Sequence, residues 1–88
     1  MSKQVPWNED IYMEFCKLAM LPELEREVLR MRIMGFSVVK TSMELDISVS
    51  SVNRLIALLK RKYDKVQPLS PKLPPRRYSA QETWMDTH

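Results

Sequence analysis

The sequence predicts a small all-α domain followed by an extended, proline-rich tail. Four segments place apolar residues at helical spacing behind capping residues, and no segment alternates apolar and polar residues as a strand would. Seven methionines suit the irregular gaps of a helical core, and most of the six prolines follow Val66. We therefore expect one domain over residues 1–65 and a tail over residues 66–88.

Two predicted helices precede the single glycine of the chain. Asn8 can cap a first helix that ends near Met20 and has a structural role. Pro22 suits the first position of a second helix, which Gly35 ends. The apolar sides of these helices comprise Ile11, Phe15, Leu18, Ala19, Leu24, Val28, Leu29, Met31 and Ile33.

Residues 37–63 have the pattern of a DNA-binding helix-turn-helix, in which two helices are joined by a three-residue turn. Ser37 can cap the third helix, Asp46 tolerates the left-handed dihedrals of a turn, and Ser48 can cap the fourth helix. Ile47 can fill the angle between the two helices. The expected inner side of the third helix is Val38, Val39, Thr41, Ser42 and Leu45. The fourth or recognition helix, about residues 49–63, should bury Val52, Leu55, Ile56, Leu59 and Tyr63 and leave its opposite face free for a DNA groove.

The tail, residues 66–88, is predicted to be extended and mobile because its proline-rich composition shows no helical periodicity. Residues 71–76 also have the PxxPxR spacing of a polyproline ligand. Tyr78, Trp84 and Met85 are candidate anchors for a partner's pocket. Packing of these three side chains onto the protein's own domain is an equally open interpretation.

Composition excludes several classes of site. Cys16 is the only cysteine and His88 the only histidine, so neither an internal disulfide nor a metal-ligand cluster is expected. No nucleophile-base pair, phosphate loop or carboxylate constellation is visible, which argues against an enzyme and against a cofactor. The start lacks a signal peptide and no apolar segment is long enough to span a bilayer, so a cytoplasmic protein without a membrane partner is expected.

A combination of residues between Leu21 and Lys62 is typical of known DNA-binding families. Its members are Leu21, Glu25, Glu27, Val28, Leu29, Gly35, Ser37, Leu45, Ile47, Ser48, Val52, Arg61 and Lys62. The combination resembles the DNA-binding domains of LuxR/GerE-type regulators and the sigma-factor region that reads the −35 promoter element. The resemblance implies that the helix after Ser48 enters the major groove. Asp46 and Ser42 depart from a frequent glycine and a frequent alanine, and the start of the recognition helix lacks the basic residues that such families often carry there.

Two sets of DNA contacts are expected from this arrangement. The candidates for base contact are Val49, Ser50, Asn53, Arg54 and Ala57. Among them Asn53 suits adenine and Arg54 suits guanine. The candidates for phosphate contact are Lys40, Thr41, Ser51, Lys60, Arg61, Lys62 and Lys65. For Ser51, the preference of serine for helix starts is a competing explanation.

The favoured function is sequence-specific binding of double-stranded DNA by a transcriptional regulator of bacterial or phage type. One such module buries little DNA surface, so a homodimer or a helper protein is expected, and Leu58 could either seal a dimer or meet the first helix. The alternative is an interaction module that binds RNA polymerase, a sigma factor or another regulator, with the tail as its hook. A phage DNA-packaging subunit is a third interpretation.

Overall fold

A computed structural model describes residues 7–74 of the chain, and these residues form four α-helices and one short 3-10 turn. The helices are α1 (Glu9–Ala19), α2 (Glu23–Ile33), α3 (Val38–Leu45) and α4 (Val49–Val66), and the 3-10 turn is Gln67–Leu69. No strand occurs between residues 7 and 74. The predicted all-α fold with a helix-turn-helix is therefore confirmed. None of the described helices is both long and apolar enough to cross a bilayer.

The helices begin at the predicted capping residues. The side chains of Asn8, Ser37 and Ser48 each accept a hydrogen bond from the backbone amide three residues later, at 2.9, 3.0 and 3.0 Å. These bonds satisfy amides that have no partner within the helix. Pro22 differs from the prediction by one position, because it precedes the first helical residue and α2 begins at Glu23. Gly35, at φ +95°, ends the second helix in a conformation that side chains disfavour.

The core lies around α4, which contacts each of the other three helices. Its fully buried residues include Val52, Leu59 and Tyr63, and the Tyr63 ring lies 5.1 Å from the ring of Phe15 on α1. Among residues 7–74 the buried apolar residues are Ile11, Phe15, Leu21, Val28, Leu29, Val52, Ile56, Leu59, Tyr63, Val66 and Leu73. The predicted stripe of α4 is thus confirmed, with Leu55 partly buried at its margin.

Three residues assigned to apolar helix faces lie outside the core. Leu24 is 43% exposed, Val39 is 57% exposed, and Met31 is partly buried without joining the core cluster. Val39 follows Val38 by one residue, and successive residues of a helix point about 100° apart. The inner side of α3 is therefore completed by the fully buried Thr41 and the buried Ser42, not by Val39.

Residues 67–74, here called the C-terminal strap, continue the core beyond the last helix. Leu73 is buried to 1% exposure among the helix residues. The hydroxyl of Ser70 donates to Glu14 Oε2 on α1 at 2.7 Å, and the Tyr63 hydroxyl donates to the carbonyl of Pro74. These contacts attach the strap to the first helix, α1, and to the last helix, α4.

The expectation that the chain after Lys65 adds little to the core is therefore wrong for Val66 and Leu73, which both belong to the buried cluster. The physical reason is that one buried leucine and the side-chain hydrogen bonds of Ser70 and Tyr63 attach a segment without any helical periodicity. The PxxPxR motif begins inside this strap, where Leu73 belongs to the core rather than to a free ligand. Tyr78, Trp84 and Met85 lie outside the described residues.

Candidate nucleic-acid interface

The first half of α4 presents one continuous exposed face. Burial of Val52, Ile56 and Leu59 fixes the rotation of the helix about its axis. The opposite side then points outward, and all five predicted base-contact residues are exposed on it: Val49, Ser50, Asn53, Arg54 and Ala57. At about 100° per residue, these five positions span a sector of roughly 140°. The structure therefore brings the whole predicted set together on one surface.

The turn before α4 fixes the angle between α3 and α4. Asp46 adopts the left-handed conformation, with φ 58° and ψ 44°, as the sequence predicted. The backbone amide of Ile47 donates to the carbonyl of Ser42 at 3.0 Å, and the Ile47 side chain packs against the core. The Ser42 hydroxyl donates to the carbonyl of Val39 at 2.7 Å. A polar side chain is tolerated at this buried position because its hydrogen bond stays within α3.

The predicted phosphate contacts divide into groups with different environments. Thr41 is fully buried and its hydroxyl donates to the carbonyl of Ser37 at 2.8 Å, so its side chain is not at the surface. Ser51 is partly buried and its hydroxyl accepts a 3.0 Å hydrogen bond from Ser48, which favours a role in the helix cap. Lys40 is exposed, and its ammonium lies 4.6 Å from the centre of the Phe36 ring.

The basic end of α4 is also divided. Lys62 Nζ lies 2.7 Å from Glu25 Oε1, and the Glu25 side chain is only 10% exposed. This ion pair joins α4 to α2. The Lys62 ammonium therefore contributes to helix packing, unlike the exposed Arg61 and Lys65. Arg61 and Lys65 are exposed, and Lys60 is partly buried. Sequence reasoning missed the Lys62 contact because Glu25 lies 37 residues earlier in the chain.

An open groove runs along the same end of α4. It is lined by Leu58, Arg61, Lys62, Asp64 and Lys65. Leu58 is partly buried there and stands outside the core cluster. Leu58 and the aliphatic stems of lysine and arginine give the groove its apolar lining, and Arg61 and Lys65 are its exposed cations.

A second group of polar side chains, on α1 and α2, has no features of a reactive site. The guanidinium carbon of Arg30 lies 4.9 Å from the centre of the Tyr12 ring, a cation-π contact between the two helices. Burial raises the pKa of the Cys16 thiol and is also the main cause of the raised pKa of Tyr12. A neutral thiol is a poor nucleophile. No cluster of three or more potential metal ligands occurs within residues 7–74.

The described residues thus contain a helix-turn-helix whose second helix has an exposed outer face. A family model for sigma-70, region 4, matches residues 16–62, which is just over half of the chain. The protein therefore belongs to the sigma-70 region 4 family, whose helix-turn-helix reads the −35 promoter element. This is a DNA-binding family without catalytic function, associated in general with DNA and RNA polymerase. Comparison with curated proteins and with solved structures gave no match.

The family match begins at Cys16, within α1, five residues before the resemblance recognised from the sequence. Of the two families that the sequence resembles, the match is to the sigma-factor region. The first half of α1, from Glu9, and the C-terminal strap lie outside the match. These two outer segments contact each other through Ser70 and Glu14, so both complete the core of this particular chain.

Proposed function

We propose that the protein is a transcriptional regulator of bacterial or phage type that binds double-stranded DNA sequence-specifically. The observation that carries the proposal is the exposed face of α4, which displays Asn53 and Arg54 beside Val49, Ser50 and Ala57. In a helix-turn-helix the N-terminal half of the second helix enters the major groove. Asn53 then offers a donor and an acceptor suited to adenine, and Arg54 offers two donors suited to guanine.

Phosphate binding is proposed for the exposed cations of α3 and α4. Arg61 and Lys65 at the end of α4 and Lys40 on α3 are exposed. Lys60 and Ser51 are retained as weaker candidates because both are partly buried. Phosphates repeat along every duplex, so these residues add affinity and salt dependence without reading sequence.

The test compares two arginines of the same helix. Arg54 and Arg61 are both exposed, and seven residues separate them, so they lie about two turns apart on the same side of α4. A preferred duplex is first selected from a random pool with the full-length protein. Arg54→Ala should then weaken binding to that duplex by about 1–3 kcal/mol and relax the sequence preference.

Arg61→Ala is the matched control. It should weaken binding to preferred and random duplexes alike and reduce the slope of log affinity against log salt by about 0.9. Circular dichroism should show the same helical content for both variants, because neither side chain is buried. Absence of binding to any duplex at low salt would overturn the proposal.

The alternative is a module that binds RNA polymerase, a sigma factor or another regulator. It is favoured by the groove that Leu58 lines together with Arg61 and Lys65. Under this alternative Leu58→Ser should abolish a transcriptional effect in a purified polymerase assay while DNA affinity is unchanged. The same groove is the proposed interface of a homodimer. If the protein dimerises there, Leu58→Ser should lower the mass measured by light scattering.

A further inference from the structure

The proposed DNA-reading face of α4 contains two apolar residues beside three polar ones. Val49, the first residue of the helix, is 40% exposed, and Ala57 is exposed within the same face. Arg54 is the one charged residue among the five proposed base contacts, and the first turn of α4 contains no acidic residue. An exposed valine contributes little to a helix start, because β-branched residues have lower helix propensity and the side chain remains in water.

The chemistry of the major groove identifies what such a face can bind. The base edges there are hydrogen-bond donors and acceptors, except for the C5-methyl group of thymine. We infer that this face selects duplexes by contacting thymine methyl groups with Val49 and Ala57, an inference that rests on the proposed function. Asn53 and Arg54 supply the polar contacts between and beside them.

The spacing of the two apolar residues sets the expected pattern. Val49 and Ala57 are eight residues apart, which corresponds to about 12 Å along the helix axis. One base pair occupies about 3.4 Å of duplex length, so the two side chains reach different base pairs. The preferred duplex should accordingly contain at least two separated thymines whose methyl groups matter.

The experiment replaces thymine by deoxyuridine, which lacks only the methyl group. The full-length protein is titrated with its selected duplex in two forms, one with thymine and one with deoxyuridine at every such position. The thymine form should bind more tightly, by about fourfold for each contacted methyl group, the factor expected for burying one methyl-sized group.

Variants separate methyl contact from changes in duplex shape. Val49→Ser and Ala57→Ser should each lower the ratio of thymine to deoxyuridine affinity towards one. Leu69→Ser is the control, because Leu69 is 70% exposed and follows α4 on the C-terminal strap. It should preserve the ratio found for the unmodified protein.

Each remaining outcome overturns the inference. Equal binding of the two duplexes, with Arg54→Ala still relaxing sequence preference, would leave the proposed function standing without methyl recognition. A thymine preference that persists in both serine variants would mean that duplex shape sets it. No binding to either duplex would overturn the proposed function and the inference together.

Discussion

Replacement of Leu73 by alanine should destabilise the whole domain, although this residue lies in a proline-rich segment after the last helix. The side chain is 1% exposed and belongs to the same buried cluster as Phe15 and Tyr63. Leu→Ala removes three carbon atoms, and at about 0.8 kcal/mol for each the lost burial alone amounts to about 2.4 kcal/mol. A residual cavity raises the expected loss to about 2.5–4 kcal/mol.

The assay is urea and thermal unfolding followed by circular dichroism. A domain of this size loses about 4–8 °C of Tm for each kcal/mol, so the variant should melt at least about 10 °C lower. Leu69→Ala is the matched control: Leu69 lies four residues earlier, is 70% exposed, and should change stability by less than about 0.5 kcal/mol. Equal effects of the two substitutions would refute the docking of the C-terminal strap.

The remaining predictions concern two polar contacts between distant parts of the chain. The hydrogen bond from Ser70 lowers the pKa of Glu14 below its usual 4.5, so this group's contribution to stability should be complete above pH 4.5 and lost as pH falls through the lower folded-state value. Glu14→Gln should therefore flatten the acid limb of unfolding free energy against pH, and an unchanged limb would contradict this. Lys62→Gln should lower the free energy of unfolding by about 1–3 kcal/mol, because it leaves the Glu25 carboxylate shielded and unpaired. Adding Glu25→Gln should recover part of that loss, whereas strictly additive effects would show that the pair does not interact.

Local signals predicted the helix boundaries closely because their physical causes act over a few residues. Asn8, Ser37 and Ser48 cap helices through bonds to amides three residues away, and Asp46 takes the left-handed turn conformation. The same holds for the exposed face of α4, because the spacing of its buried residues determines which positions face outward.

Contacts between residues far apart in the chain could not be predicted from such local patterns. Lys62 looked like one more cation of a basic helix end until the fold placed Glu25 beside it. Thr41 was expected both on the inner side of α3 and as a phosphate contact, and only the first expectation agrees with its burial and its bond to the carbonyl of Ser37. Composition predicted that the chain after Lys65 adds little to the core, yet Leu73 of the C-terminal strap is buried. A single leucine gives no periodic signal from which its burial could be predicted.

The sequence by itself determined the four helices, their caps, the turn and the outward face of the recognition helix, because capping bonds and 3.6-residue periodicity are encoded within short windows. Only the tertiary structure decided which cations are committed to ion pairs and where the core ends. Those outcomes depend on contacts between residues far apart in the chain, such as Ser70 with Glu14 and Lys62 with Glu25, which no local pattern specifies.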